Sequence, residues 1–222
     1  MPGEAWQMEG LSVVFDIETG PVADLEDRMP DFDPESVKLG NIRDPDKKRD
    51  KIAAAEERHR KNFIERAALS AATGQILAIG YLGVGADDEE PLIEAVPDLS
   101  EEEIIANFWR RSVRLIGFNI FNFDLPFLVR RSWLLSVVVP ADIRQGRNWS
   151  TQFVDLAEIW RLGVPGEHIS LNNLCLAGQI GEKNGDGAMF AETLVADREK
   201  AMEYLTNDLE MTFAAAQMLA VI

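Results

Sequence analysis

The 222-residue sequence predicts an α/β fold: a mixed five-stranded sheet flanked by helices, with a helical insertion after the first strand. Three observations carry that prediction. A β-branched and aromatic run near the N-terminus stops at Thr19-Gly20-Pro21. A hairpin pattern follows the insertion. From residue 100 onward, helical patterns alternate with short strand patterns, the arrangement in which helices cover a sheet.

Residues 11–18 (LSVVFDIE) suit a strand, and the T-G-P that follows is a turn signal. Residues 21–46 are polar and carry Pro30, Pro34 and Pro45, as a long loop would. Residues 45–72 suit a helix that opens on Pro45 and stops before Gly74. Ile52, Ala55, Phe63, Ala67 and Leu69 give it an intermittent apolar face, and it is the most basic segment of the chain. Residues 75–84 (QILAIGYLGV) and 91–96 (PLIEAV) suit a hairpin around an acidic turn at 85–90. Ser100 with Glu103 three residues later is a capping box for a short helix. A strand is expected over 114–119 and a helix over 124–135, entered through Pro126. A further strand is expected over 152–156 and a helix over 171–179. A turn-rich loop over 181–187 and a long helix over 197–221 complete the chain. The length suits one domain over residues 1–222, with 21–74 as an insertion within it.

Composition narrows the chemistry. The one cysteine, Cys175, excludes an internal disulfide framework and a multi-thiolate metal site. Two histidines, His59 and His168, are too few for a histidine-rich zinc site. Residues 1–10 lack the basic and apolar regions of a signal peptide, and no apolar run reaches membrane-spanning length, so a cytoplasmic setting with no membrane partner is expected. A net charge of −16 argues against extensive tracking of a phosphate backbone. It does not argue against a local carboxylate site, because acids that hold cations count as negative and act as nearly neutral.

The acids that could carry chemistry are few. Asp16 and Glu18, two apart on a strand, share one face, with Phe15 and Ile17 on the other. They read either as an acidic strand end in water or as a pair that needs a cation. Asp124 stands where a strand gives way to a helix and suits a helix N-cap equally well. Phe118, Phe121 and Phe123 beside it are core residues or a stacking platform for a base. Tyr204 and Asp208, four apart on the last helix, share a face and could position a water. Asp16, Glu18, Asp124 and Asp208 together are an all-oxygen set of the kind that selects magnesium or manganese. Meeting at the C-terminal end of the sheet, they could not all ionise without cations.

This constellation resembles the DEDDy-type 3′–5′ exonucleases, the DnaQ-like group of the RNase H-like fold. Residues 13–20 (VVFDIETG) look like the first motif, residues 117–128 (GFNIFNFDLPFL) the second, and Tyr204 to Asp208 the third, Y-x-x-x-D. The form is closest to the proofreading exonuclease domain of family-B DNA polymerases, and the expectation is a stand-alone version of that domain. Tyrosine stands at 204, and Glu203 occupies the place where a related group carries histidine. The resemblance implies two divalent ions, Mg2+ or Mn2+. Asp16 would bridge both, Glu18 and Asp208 would complete the site that activates water, and Asp124 would support the second ion. Tyr204 would bond the attacking water. The main-chain N–H of Ile17, together with Thr19, Asn119 and Phe123, would contact the substrate. Asp155 matches no ligand position. The implied substrate is a single-stranded 3′ end, DNA first and RNA as the rival, with a protein partner supplying nucleic-acid affinity that the acidic surface lacks. A non-catalytic RNase H-like binding subunit is the alternative class. The insertion over 21–74 departs from the family, and its basic helix is either a solvated edge or a cover that touches substrate.

Overall fold

A computed structural model describes residues 12–85, 90–111, 113–141, 143 and 151–222. Leu11, Trp6, Trp149 and residues 86–89 of the expected hairpin turn lie outside them.

The sheet forms around β1 (Ser12–Pro21), with spatial order β3-β2-β1-β4-β5. Here β2 is Gly74–Gly83, β3 Leu92–Ala95, β4 Arg114–Gly117 and β5 Phe153–Asp155. The β1–β2 and β2–β3 pairs are antiparallel, and the β1–β4 and β4–β5 pairs parallel. The mixed five-stranded sheet is the expected one. β1 runs three residues past its predicted end because the register slips between Glu18 and Thr19, after which Thr19, Gly20 and Pro21 still pair with β2. A turn signal in a chain with a long antiparallel partner is overridden by the ladder, and proline is tolerated at the last strand position.

Alternation along β1 feeds two cores. Val13, Phe15 and Ile17 enter the larger cluster with Ile104, Phe108, Leu125 and Leu128. These come from α2 (Glu101–Arg110) and α3 (Asp124–Leu134). The opposite face, beginning with Val14, packs against Leu174, Leu209 and Met211. It is covered by α5 (Leu171–Gly178), α6 (Phe190–Ala196) and α7 (Arg198–Met218). The capping box at Ser100 and Glu103 forms as predicted. Glu101 is also buried, because its carboxylate takes two guanidinium N–H groups of Arg131 at 2.5 and 2.8 Å and the Ile76 N–H at 2.8 Å. The pair ties α2, α3 and β2 together behind the sheet.

Two helices were not expected. The six residues of α4 (Leu156–Arg161) are opened by Asp155 and closed by Leu162 in the left-handed region, too short to show a helical period. α6 is a separate seven-residue helix because Asp197 leaves helical geometry and caps α7 through Lys200. The insertion helix α1 (Pro45–Ala67) ends five residues early. His59 is half-buried, its ring nitrogen 3.2 Å from the Pro30 carbonyl. Trp133 is 63% exposed, whereas Trp109 is buried and donates to Ser132. Among the described residues no helix is long and apolar enough to cross a membrane.

Candidate metal centre

The C-terminal half of β1 carries Asp16 and Glu18 on the face that α7 covers. Asp16 pairs in register with Gly80 of β2. A Cβ on Gly80 would stand 2.7 Å from Leu209 Cδ1 and 3.1 Å from Leu205 Cγ. The missing side chain lets α7 settle onto the sheet beside Asp16. Tyr204 and Asp208, one helical turn apart on α7, are both buried there.

Asp16, Glu18 and Asp208 each bring a carboxylate oxygen within 4.8 Å of the others, an arrangement compatible with a divalent metal site. Burial, then the charges of Asp124, Glu18 and Asp208, hold the Asp16 carboxyl well above the usual carboxylate range. Burial and Asp208 push Glu18 up to about 8. Asp208 Oδ1 is buried and has no hydrogen-bond partner. Such an atom is costly unless something positive meets it. The all-oxygen donor set, the mutual repulsion and the orphaned oxygen all fit a hard divalent cation.

Asp124 is not a helix N-cap. Phe123 takes that position without a side-chain bond, and Asp124 is the first residue of α3. Its buried carboxylate accepts the Ile17 main-chain N–H, so this N–H is directed at Asp124. Burial dominates, and Asp124 is raised to about 7. Its charge presses on Asp16, but it stands outside the three acids whose oxygens converge.

The turn between β4 and α3 is built by Asp155. Its carboxylate accepts the N–H groups of Asn119 at 2.8 Å, Phe121 at 2.9 Å and Ala157 at 2.9 Å. Asn119 sits at φ 62°, which asparagine tolerates better than most residues. Its side-chain oxygen takes the amide of Asn122. Phe123 is half-buried, with its ring 5.5 Å from that of Phe127. Thr19 donates its hydroxyl to the Ala68 carbonyl at 2.8 Å, which roots the end of the insertion beside Glu18. Sequence reading left Asp155 out as a ligand and missed that it shapes the turn carrying Asn119, Phe123 and Asp124.

Lys183 was also missed. Its Nζ lies 2.6 Å from Asp208 Oδ2 and donates to the Tyr204 hydroxyl at 3.1 Å. Burial works against its charge, but the bond and charge of Asp208, with Tyr204, outweigh burial and raise its pKa. Tyr204 is raised too, by burial and by the charges of Asp208 and Glu18, so its phenol stays protonated. The loop is pinned through Lys183 N–H to Asn172 and Asn184 N–H to Asn207. Gly185 and Gly187 pass so close to Tyr204 that added Cβ atoms would stand 2.7 and 3.2 Å from it. The available signal was a lone lysine among glycines, the one lysine between Lys61 and Lys200.

Comparison with solved structures identifies the fold. The family B DNA polymerase of the hyperthermophilic archaeon Pyrobaculum calidifontis superposes with a TM-score of 0.59 at 17% identity, over 95% of this chain and 24% of the polymerase chain. The fold is RNase H-like. The chain thus spans about a quarter of that polymerase's length. No protein-family model and no curated protein matches the sequence.

Proposed function

We propose that the chain is a metal-dependent 3′–5′ exonuclease that hydrolyses the last phosphodiester at the 3′ end of single-stranded nucleic acid, DNA in the first instance. The reading is carried by the convergence of Asp16, Glu18 and Asp208, with Asp208 Oδ1 buried and unpartnered. The likeness to a chain described as a DNA polymerase favours DNA over RNA. Asp16, Glu18, Asp124 and Asp208 would hold two divalent cations, Mg2+ or Mn2+, which supply an acidified water and a sink for charge on the leaving oxygen.

The chain's own groups orient the reaction. A water oxygen bonds to phosphorus and the bond to the 3′ oxygen breaks, leaving a nucleoside 5′-monophosphate and a new 3′-hydroxyl. Tyr204 stays protonated, and its oxygen already accepts from Lys183, so its own O–H is free to hold the attacking water or a phosphate oxygen. Lys183 presents a positive charge at the edge of the acids, where phosphate charge grows in the transition state. Thr19, near the end of β1, and the turn bearing Asn119 and Phe123 flank the acids and would seat the terminal nucleotide, with the Phe123 ring as a stacking face.

The Lys183–Asp208 pair suits a second reading, a non-catalytic binding subunit, because a lysine can neutralise the cluster in place of a metal. One experiment separates the two. Single-stranded DNA and RNA labelled at the 5′ end are incubated with the protein and Mn2+ or Mg2+, then with chelator. A ladder shortening from the 3′ end, stopped by chelator and lost in Asp16→Ala and Asp124→Ala, supports the nuclease. Binding without metal-dependent shortening supports the binding subunit.

A further inference from the structure

Among the described residues, helix α1 is the one strongly basic element of an acidic molecule. Its 23 residues hold eight Lys and Arg against five Asp and Glu, whereas the other 199 hold 14 against 33. Its rotation is fixed. Lys48, Ile52, Ala55, His59, Phe63 and Ala67 repeat every three or four residues and are the half-buried or buried positions. They face the preceding loop, where the His59 ring lies 5.7 Å from that of Phe32 and Phe63 packs with Val22, Leu25 and Ala67.

Part of the charge then sorts by face. Lys47, Lys51, Arg58 and Lys61, at spacings of four, seven and three, form a single exposed stripe. Asp46, Asp50 and Glu57 repeat at the same four-and-seven spacing one residue earlier, about 100° round the helix. Lys47 and Arg58 have no ion-pair partner among the described residues. Lys51 reaches only the Lys38 carbonyl, and Lys61 only Glu65 at 3.7 Å. Between Lys47 and Arg58 no acid stands on this face, and only beyond it does Glu65, four residues after Lys61, meet the stripe. The stripe runs about 21 Å along the helix, at 1.5 Å per residue. Its Lys61 end lies about 10 Å of helix from Ala68, whose carbonyl is bonded to Thr19 beside Glu18.

We infer that the Lys47–Lys51–Arg58–Lys61 stripe is a docking track for the phosphate backbone of single-stranded nucleic acid, extending outward from the acid centre. The inference deepens the proposed function and rests on it for the identity of the polyanion. The other 199 residues carry 33 acids against 14 bases, a balance that opposes a phosphate chain on average. The track therefore offers the strand a cationic path whose inner end is the root of the helix.

The test uses the full chain in chelator, where no hydrolysis occurs, with a fluorescein-labelled 20-mer of thymidine read by anisotropy. Replacing Lys47, Lys51, Arg58 and Lys61 with Gln is expected to weaken binding at least tenfold at low salt. It should also flatten the slope of log affinity against log salt by about 3, near 0.7 per lost phosphate contact. A charge-matched control, Gln at Arg43, Arg49, Arg60 and Arg110, should change binding less than threefold. With Mn2+ restored, the stripe variant should hydrolyse a dinucleotide at the wild-type rate while losing activity on the 20-mer. Equal losses in both variants, unchanged binding in the stripe variant, or no binding by the wild type would overturn the track. Metal-dependent cleavage of the dinucleotide could survive each of those results, and absent cleavage with stripe-dependent binding would sink the nuclease reading instead.

Discussion

Individual side chains at the centre oppose one another, and the opposition can be measured. Asp16 is destabilising without a cation, because burial and three neighbouring acids resist its charge. Asp16→Asn should therefore raise the Tm of the metal-free protein by roughly 3–6 °C while abolishing hydrolysis, as read by calorimetry in chelator and by nuclease assay. Lys183→Met removes the cation bonded to Asp208 and should do the reverse to Tm, with hydrolysis falling about 10- to 100-fold and Lys183→Arg recovering part of it. At this scale the sequence was partly legible. Asp16 and Glu18 are readable because a strand's period of two puts them on one face, and Asp208 because a turn of helix puts it beside Tyr204. Lys183 was hidden because its placement depends on a loop held by Asn172 and Asn207, and no local period records a loop.

Among the elements, the centre depends on contacts that have no carboxylate chemistry of their own. Gly80 leaves the space into which α7 settles, so Gly80→Val should push Leu205 and Leu209 outward. Mn2+ affinity should then weaken at least tenfold, by titration calorimetry, with the fold retained by circular dichroism. The buried Arg131–Glu101 pair fastens α2 and α3 behind the sheet. Glu101→Ala would leave a buried guanidinium unpaired and should cost about 3–5 kcal/mol in urea unfolding. The strands and the capping box were legible because composition and spacing are local. The short helices α4 and α6 were not, since six or seven residues complete barely two turns. The length of β1 was misread because its pairing with β2 past the register slip is a long-range fact.

For the whole molecule the acid cluster ties stability to pH and metal. In the metal-free folded state Glu18 holds its proton to about pH 8, against 4.5 ordinarily, and Asp124 to about 7, against 3.8. Both pKa values are raised, so the folded protein binds more protons than the unfolded chain between about pH 4 and 8. The stabilising contribution of these groups is complete below the unfolded values and is lost as pH rises through 7 to 8. Tm in chelator should decline across that window, and saturating Mn2+, which takes the ionised acids, should flatten or reverse the decline. Net charge alone pointed away from nucleic acid. The segregation of basic charge onto α1 shows how a molecule of −16 can still present a local cationic face. The most direct measurement is anomalous diffraction from crystals soaked in Mn2+. The account predicts one peak bounded by Asp16, Glu18 and Asp208 and a second beside Asp124, with Lys183 turned from Asp208. Difference density with no manganese among these acids, and Lys183 still on Asp208, would contradict it.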